Sequence, residues 1–533
     1  MSGYCLLVAA PPVLLMAGGL ISSRWANRHT RWMRRWTLLS TAVALALSAA
    51  AAVSLVVHGP LDAALLTLEC PVPLNLGVYF DSLSAVMLVL INFIGLIIAR
   101  YSVRYLDGEP TQGRFLRWML FTLGAVLSLV VSRNLVMFTA AWMLTSLGLH
   151  QLLTHYADRP WAVWAARKKF LISRLGDAML LAALALTWHC FGSFDYGEVF
   201  AASAALQETP ADASPLVPLI GMLFVFGAMT KSAQFPFHSW LPDTMETPTP
   251  VSALMHAGII NAGGFLILRL SPLVSLSPLS LDLLALGGAF TALLGGLVML
   301  TQTSVKRSLA YSTIAQMGFM MLQCGLGAYS AALLHIVAHS LYKAHAFLSS
   351  GSVLDAAAAR KTDLQSVLHG PRALAALPAA LAASLGAVGV AAWLLPIDPS
   401  SKPGAAVLGL VLVIAVTQLV WQGLATGSRW LAVRAIVCAA VVSASYFTAY
   451  LVTDRVLLAS VSHHAIAPSP LDAAVLGLTA VGFLGVFCLQ AASGSRAAPW
   501  LRSLYVHALN GFYFDIPARR LTARVWGRIT PTP

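Results

Sequence analysis

Two histidines and a lysine, His335, His339 and Lys343, recur at four-residue spacing inside the apolar run 328–350. Members of such a series drift only about 40° per step around a helix and stack roughly 6 Å apart, so the three share one face. A row of that kind can pass a proton from group to group with water between. Lys231 is a second candidate: an apolar run from Pro218 meets it just before Phe235-Pro236-Phe237-His238, a sequence that breaks a helix. His256 lies early in the next apolar run, and Lys168 and Lys169 open an earlier one, with Arg174 and Asp177 following on the same helix. Charge at membrane depth persists only when it faces protein or a water-filled cavity, so these positions are functional candidates.

Lysine usage sharpens the reading. The chain has 26 arginines and seven lysines, and Lys168, Lys231 and Lys343 fall in or at the edge of apolar spans. Arginine cannot be deprotonated in a protein, whereas burial can lower a lysine pKa by several units, so a site that loads and releases a proton needs lysine. Plainer readings stand beside this one. Lys168 and Lys169 could snorkel to the surface, Arg174 and Asp177 could be a structural i,i+3 ion pair, and His256 could be a satisfied core residue. His335 and His339 have zinc-ligand spacing, but residue 336 is Ile and not the Glu of a metalloprotease helix. Tyr311, Ser312 and Gln316 could simply bond between helices.

The elements that must hold these residues are membrane helices. The chain is 58% hydrophobic and only 10% charged, with apolar stretches of span length from end to end. The reading is an all-α polytopic membrane protein with about fifteen transmembrane helices: 4–21, 36–57, 78–99, 116–132, 134–153, 165–190, 215–240 (broken), 249–270, 279–301, 308–323, 328–350, 373–395, 405–426, 430–451 and 471–490. The first is expected to be retained, because it lacks a basic segment and a cleavage site. Net charge is +13, carried in short loops as the positive-inside rule requires, so nucleic acid is not an expected partner. Basic loops after span 1 and around Arg100, Arg159, Lys306 and Arg360 place the N-terminus periplasmic and the C-terminus cytoplasmic in a bacterial inner membrane. Loop 191–214, acidic and without Lys or Arg, is expected to be a solvated exterior loop. The tail containing Tyr505 to Tyr513 is amphipathic and suited to the membrane surface. Six scattered cysteines indicate neither a disulfide framework nor a metal cluster, and no cofactor is expected on this chain.

The segment GAMTKSAQFPFHSWLPDTMETPTPVSALMHAG (227–258) resembles the signature of the antiporter-like membrane subunits. That family includes subunit five (bacterial subunit L) of complex I and the large subunits of Mrp sodium/proton antiporters. VKRSLAYSTIAQMGFM (305–320), LLHIVAHSLYKAHAFLSSGSV (333–353) and AARKKFLISRLGDAML (165–180) extend the match over roughly residues 80–355. The resemblance implies two inverted five-helix repeats, spans 4–8 and 9–13, each with a broken helix. The corresponding divisions are 1–110 for N-terminal helices, 111–270 for a first repeat broken at 231–240, 271–430 for a second, altered repeat, and 431–533 for the C-terminal helices and tail. It also implies proton-transfer roles for Lys168, Asp177, Lys231, His256, His335, His339 and Lys343, with Lys306 nearby.

Departures from the family pattern matter. The family's Trp-Glu pair, whose Glu would neutralise the span-7 lysine, is here Trp142-Met143. Lys231 is then left either neutral at rest, or paired with Asp177 or with a carboxylate of another subunit. Residues 373–397, expected to form the second broken helix, contain neither Lys nor Glu, and the long lateral helix of subunit five is not readable. These features, with MHAGIINAGGFL and the YVHALNGFYFD tail, look like the membrane subunit of the Dab-type inorganic carbon pumps. That resemblance implies a cation-conducting subunit, the cation being a proton or sodium, that powers carbon dioxide hydration. The hydration would occur on a large zinc-binding partner related to β-carbonic anhydrases. A subunit of a complex I-like or Mrp-like machine and a non-conducting scaffold are the alternatives.

Overall fold

The computed structural model describes residues 3–68, 74–209, 213–352, 371–395, 404–461, 471–492 and 499–527. Helices α1 (Gly3–Leu20), α2 (Ser23–Arg28) and α3 (Thr30–His58) precede an antiparallel hairpin, β1 (Leu61–Leu68) with β2 (Leu74–Phe80), in which Leu61 faces Phe80. Then come α4 (Ser82–Tyr105), α5 (Gln112–Val131), α6 (Leu135–Leu153), α7 (Pro160–Phe191), α8 (Tyr196–Glu208) and α9 (Val217–Lys231). After the first break follow α10 (Thr249–Ala257), α11 (Ala262–Arg269), α12 (Ser271–Val274), α13 (Pro278–Thr301), α14 (Val305–Gly325) and α15 (Tyr329–Leu348). The remainder is α16 (Pro371–Leu394), α17 (Ala405–Ala425), α18 (Arg429–Leu457), α19 (Asp472–Ala492), α20 (Pro499–Leu509) and α21 (Ile516–Trp526).

The chain is an all-helical polytopic membrane protein apart from this hairpin. Among the described residues twelve helices are long and apolar enough to cross a membrane. The count of fifteen is not reached on that criterion: Val217–Lys231 is a shorter apolar helix, α14 carries Lys306, Arg307 and several hydroxyl and amide side chains, and α15 carries three histidines and Lys343, all of which lower hydropathy. Span 3 begins as strand β2 and turns helical at Ser82, where the Asp81 side chain caps the helix by accepting from the Ser84 amide at 2.9 Å.

Two helix breaks lie in the middle of the bundle. The first follows Lys231: α9 ends at Ser232, Ala233 takes a left-handed φ of 48°, and short 3-10 turns run over Phe237–Trp240 and Pro242–Glu246. The second, unforeseen, divides span 8 at Gly258, with a 3-10 turn over Ile259–Asn261 before α11. The breaks are tied together, because the Ser232 hydroxyl donates to the Ile260 carbonyl at 2.6 Å. The segment expected to carry a matching break in the second repeat, Pro371–Leu394, runs as one helix. Pro378 alone removes one backbone donor, without the proline cluster or the charged residue that accompanies the first break.

One further expectation is corrected. The acidic loop 191–214 holds helix α8, and its Asp195 is buried, accepting from Arg133 at 2.5 Å and from Asn75 at 2.8 Å. The C-terminal tail lies against the bundle: Phe514 packs edge-on to Phe235 at 4.9 Å, and Trp526 to Phe170 at 6.1 Å. The expected basic loop at Arg360 and Lys361 falls outside the described residues.

Helices α7 and α9 approach so closely at Gly176 that a Cβ there would lie 2.1 Å from the Thr230 hydroxyl, one residue before Lys231. Gly176→Ala should therefore destabilise the fold by about 1–3 kcal/mol as the helices are forced apart. The check is the thermal midpoint of the detergent-purified protein, with Thr230→Ala in the same chain restoring part of the loss. No recovery in that double variant would show that the contact is not the cause.

Candidate functional site

The site is built around the end of α9. Burial of Lys231 among α6, α7 and α9 leaves its ammonium 6% exposed. Its Nζ donates to three groups on α6: the Trp142 carbonyl at 3.0 Å, Thr145 Oγ1 at 2.6 Å and Ser146 Oγ at 3.0 Å. It also sits 4.4 Å from the centroid of the Trp142 ring, a cation–π distance. Among the described residues no carboxylate lies within ion-pair reach of Lys231. Asp177 is engaged elsewhere, its Oδ2 lying 2.6 Å from Arg174, so the i,i+3 pair is what forms. The position left without a carboxylate at Met143 is thus answered by hydroxyls and a carbonyl one turn along the same helix.

The remaining lysines of α7 join this group. Lys168, 1% exposed, donates to Asp243 Oδ2 at 2.8 Å and to the Ser239 carbonyl at 2.9 Å. Asp243, on the segment between the two breaks, was not singled out from the sequence, although it stands in the LPD of the conspicuous stretch. Lys169 is also buried, and its Nζ donates to the Ser146 carbonyl at 2.8 Å. Ser146 therefore touches two lysines, Lys231 through its hydroxyl and Lys169 through its carbonyl. Snorkelling is excluded for both Lys168 and Lys169, because each ends in a buried protein acceptor. Asp243→Asn removes the charge that holds Lys168 in place and should destabilise the fold by about 1–3 kcal/mol. The thermal midpoint of the detergent-purified protein checks this, and an unchanged midpoint would show that the pair does not anchor α7.

The second group surrounds α15. His256, in the last turn of α10 before Gly258, is fully buried. Its Nδ1 is 3.0 Å from Thr313 Oγ1 on α14, and its ring stacks on Phe347 of α15 at 4.3 Å. His335 and His339 have ring centroids 6.0 Å apart, as the four-residue spacing requires. His335 Nδ1 lies 3.0 Å from Gln323 Oε1, and neither ring nitrogen of His339 has a hydrogen-bond partner among the described residues. Lys343 is fully buried and donates to the Leu309 carbonyl at 3.1 Å. Asn261, in the second break, donates to Ser340 at 2.8 Å and so ties the break to α15. Thr313, Gln323, Asn261 and Ser340 are polar groups the sequence did not mark, since neutral residues on a helix give no signal of which neighbour they meet.

Lys306 stands apart from both groups, half-buried, with Nζ 3.2 Å from Thr249 Oγ1 at the start of α10. The structure therefore gathers Lys231 and Lys169 at α6, holds Lys168 to Ser239 and Asp243 beyond the first break, and gathers His256, His335, His339 and Lys343 around α15. Asp177 is held by Arg174 on the same helix. A further buried charge pair lies outside these groups: Arg269 at the end of α11 makes two bonds to Asp81, at 2.8 and 3.0 Å. Arginine at the end of an apolar run was the available signal for it. Among the described residues no group of three or more His, Cys, Asp or Glu side chains could hold a metal ion.

Residues 132–369 match the family described as NADH:quinone oxidoreductase/Mrp antiporter, transmembrane. Residues 70–116 match the complex I chain 5 N-terminal family. The chain is 38% identical over 532 residues to the probable inorganic carbon transporter subunit DabB2 of Halothiobacillus neapolitanus, covering 98% of this chain and 94% of that protein. It is 40% identical over 283 residues to the NAD(P)H-quinone oxidoreductase chain 5 of Synechocystis, spanning 53% of this chain and 41% of that protein. Among solved structures, a chain of the Mrp complex from Dietzia superposes with a TM-score of 0.57 at 25% identity, covering 98% of this chain and 57% of that one. The chain thus belongs to the family of antiporter-like membrane subunits that includes the Dab inorganic carbon transporter subunits and chain 5 of the quinone oxidoreductases.

Proposed function

We propose that this chain is the proton-translocating membrane subunit of a two-component inorganic carbon accumulation complex in a bacterial inner membrane. In this reading its N-terminus is periplasmic and its C-terminus cytoplasmic. Protons are taken up at Lys168 and Asp243, pass to Lys169 and Lys231, and continue through His256, His339 and His335 with Lys343. Their flow energises carbon dioxide hydration on a large partner subunit that carries the zinc. The extended similarity to an inorganic carbon transporter subunit supports this assignment over a quinone oxidoreductase, which the chain matches over a much smaller share of that protein.

The observation that carries the reading is the hydrogen-bond cradle of Lys231. A fixed carboxylate would hold the ammonium form; hydroxyls do not. With Nζ protonated, the Trp142 carbonyl, Thr145 and Ser146 accept its three hydrogens. With Nζ neutral, a hydroxyl rotates and donates to the lone pair, so the buried amine remains satisfied in both states. That is the requirement for a site that must cycle. At His339 the buried ring nitrogens have no protein partner among the described residues, and water there would complete a relay.

Bicarbonate accumulation in cells that express the chain with its partner should collapse on addition of a protonophore. His335→Ala should lower it about tenfold or more, the loss of one proton-transfer group. Accumulation that survives the protonophore would overturn proton coupling, and purification with redox subunits in place of a zinc-binding partner would overturn the assignment to carbon transport.

A further inference from the structure

The turn between the tail helices α20 and α21, together with the start of α21, lies over a cavity of about 290 Å³. Its wall is formed by His238, Ser239 and Asp243 from the segment between the breaks, Arg307 and Tyr311 from α14, and Arg519 from the tail. The cavity reaches the site already described, because Asp243 is the ion-pair partner of Lys168. It is polar and roomy enough for water, and two buried wall atoms, His238 Nδ1 and Ser239 Oγ, have no protein partner among the described residues.

The tail is pinned over it at three places. The Gln302 side chain donates to the Leu509 carbonyl at 3.2 Å, Phe514 packs on Phe235 beside the first break at 4.9 Å, and Trp526 lies 5.9 Å from the Arg167 guanidinium. Between the two tail helices the chain turns through three successive left-handed residues, Gly511 (φ 60°), Phe512 (φ 51°) and Tyr513 (φ 62°). Glycine adopts that region freely; phenylalanine and tyrosine are held there against their preference by what surrounds them. The turn aims Phe512 into the core and keeps Gly511 against Tyr311, where a Cβ would lie 3.0 Å from the phenolic oxygen. Lifting the tail would release this conformation while exposing Asp243 and Lys168 to water.

We propose that the C-terminal tail is a displaceable roof over the aqueous mouth of the Lys168–Asp243 pair. Seated, it keeps Lys168 at 1% exposure and limits Asp243 to 19%; lifted, it admits water and protons freely to both. The proposal deepens the proton-translocation reading and rests on it for its purpose, but its test needs no transport.

The test introduces Ser239→Cys into the full chain in open native membranes and follows its modification by a charged, membrane-impermeant thiol reagent, read at that peptide by mass spectrometry. Ser503→Cys, exposed on α20 and not part of the cavity wall, is the control. Combining Phe514→Ala with Trp526→Ala should raise the rate at Ser239→Cys about tenfold or more, in proportion to the open population, and leave Ser503→Cys unchanged. Equal rates at Ser239→Cys with and without the tail substitutions would overturn the proposal, whether both were fast or both undetectable. If Ser239→Cys fails to accumulate, Tyr311→Cys on the opposite wall reports the same change. Faster labelling of Ser239→Cys in the tail variant with transport unchanged would count against the translocation reading and not against the roof.

Discussion

Replacing Lys231 by alanine should reduce carbon-dependent uptake by about two orders of magnitude, the lower range for removal of a positioned proton-transfer group, while the protein still reaches the membrane. Lys231→Arg should be as inactive as the alanine variant, because a guanidinium keeps the charge and the donors but cannot release the proton. The cradle makes a second, separable prediction. Thr145→Val with Ser146→Ala leaves Lys231 only the Trp142 carbonyl of its three acceptors, and should depress uptake strongly with Lys231 intact. Met143→Glu returns a carboxylate to α6 beside the family's tryptophan position. It should slow uptake by holding Lys231 in one protonation state instead of letting it cycle. Uptake rates at matched membrane abundance decide among these, and full activity in Lys231→Arg would refute a proton-carrying role for this lysine.

Breaking the Arg269–Asp81 pair should destabilise the fold by about 3–5 kcal/mol, because either single substitution strands a buried charge. Both side chains are nearly inaccessible, at 1% and 3% exposure, and Ser84 Oγ adds a further contact to Arg269 at 2.6 Å. The two substitutions should differ. Asp81→Ala leaves an arginine that cannot shed its charge and also removes the cap of α4; Arg269→Ala leaves a carboxylate still bonded to the Ser84 amide. Asp81→Ala should therefore be the more damaging, seen as lower membrane abundance and earlier thermal aggregation. Asp81→Leu with Arg269→Met should recover much of the loss, since an apolar pair of similar volume leaves no charge to be solvated. Single variants of wild-type stability would show that the pair does not hold α4 to α11.

How far the sequence reached depended on the kind of residue. The row His335, His339 and Lys343 was legible because helical periodicity fixes which side chains share a face without reference to any neighbour. The first break was legible for a similar reason: Phe235-Pro236 and the prolines after it remove backbone donors locally. The second break at Gly258 carried no such mark, since one glycine in an apolar run is also compatible with a continuous helix. Lys169 was left among possible surface anchors, and only the position of Ser146 on the adjacent helix turned it inward.

By itself the sequence determined that this is a polytopic helical membrane protein of the antiporter-like kind, with lysines and histidines inside apolar helices. Those conclusions rest on composition, local periodicity and motif, all properties of neighbours along the chain. Tertiary structure alone decided the partners. Lys168 goes to Asp243, Lys231 goes to the hydroxyls of α6 where the family pattern has a carboxylate, and Asp177 stays with Arg174, one of the two partners that spacing left open. A charged group buried away from water takes whichever polar atoms the packing of other helices brings within about 3 Å, and that packing is not written in the spacing of any one segment.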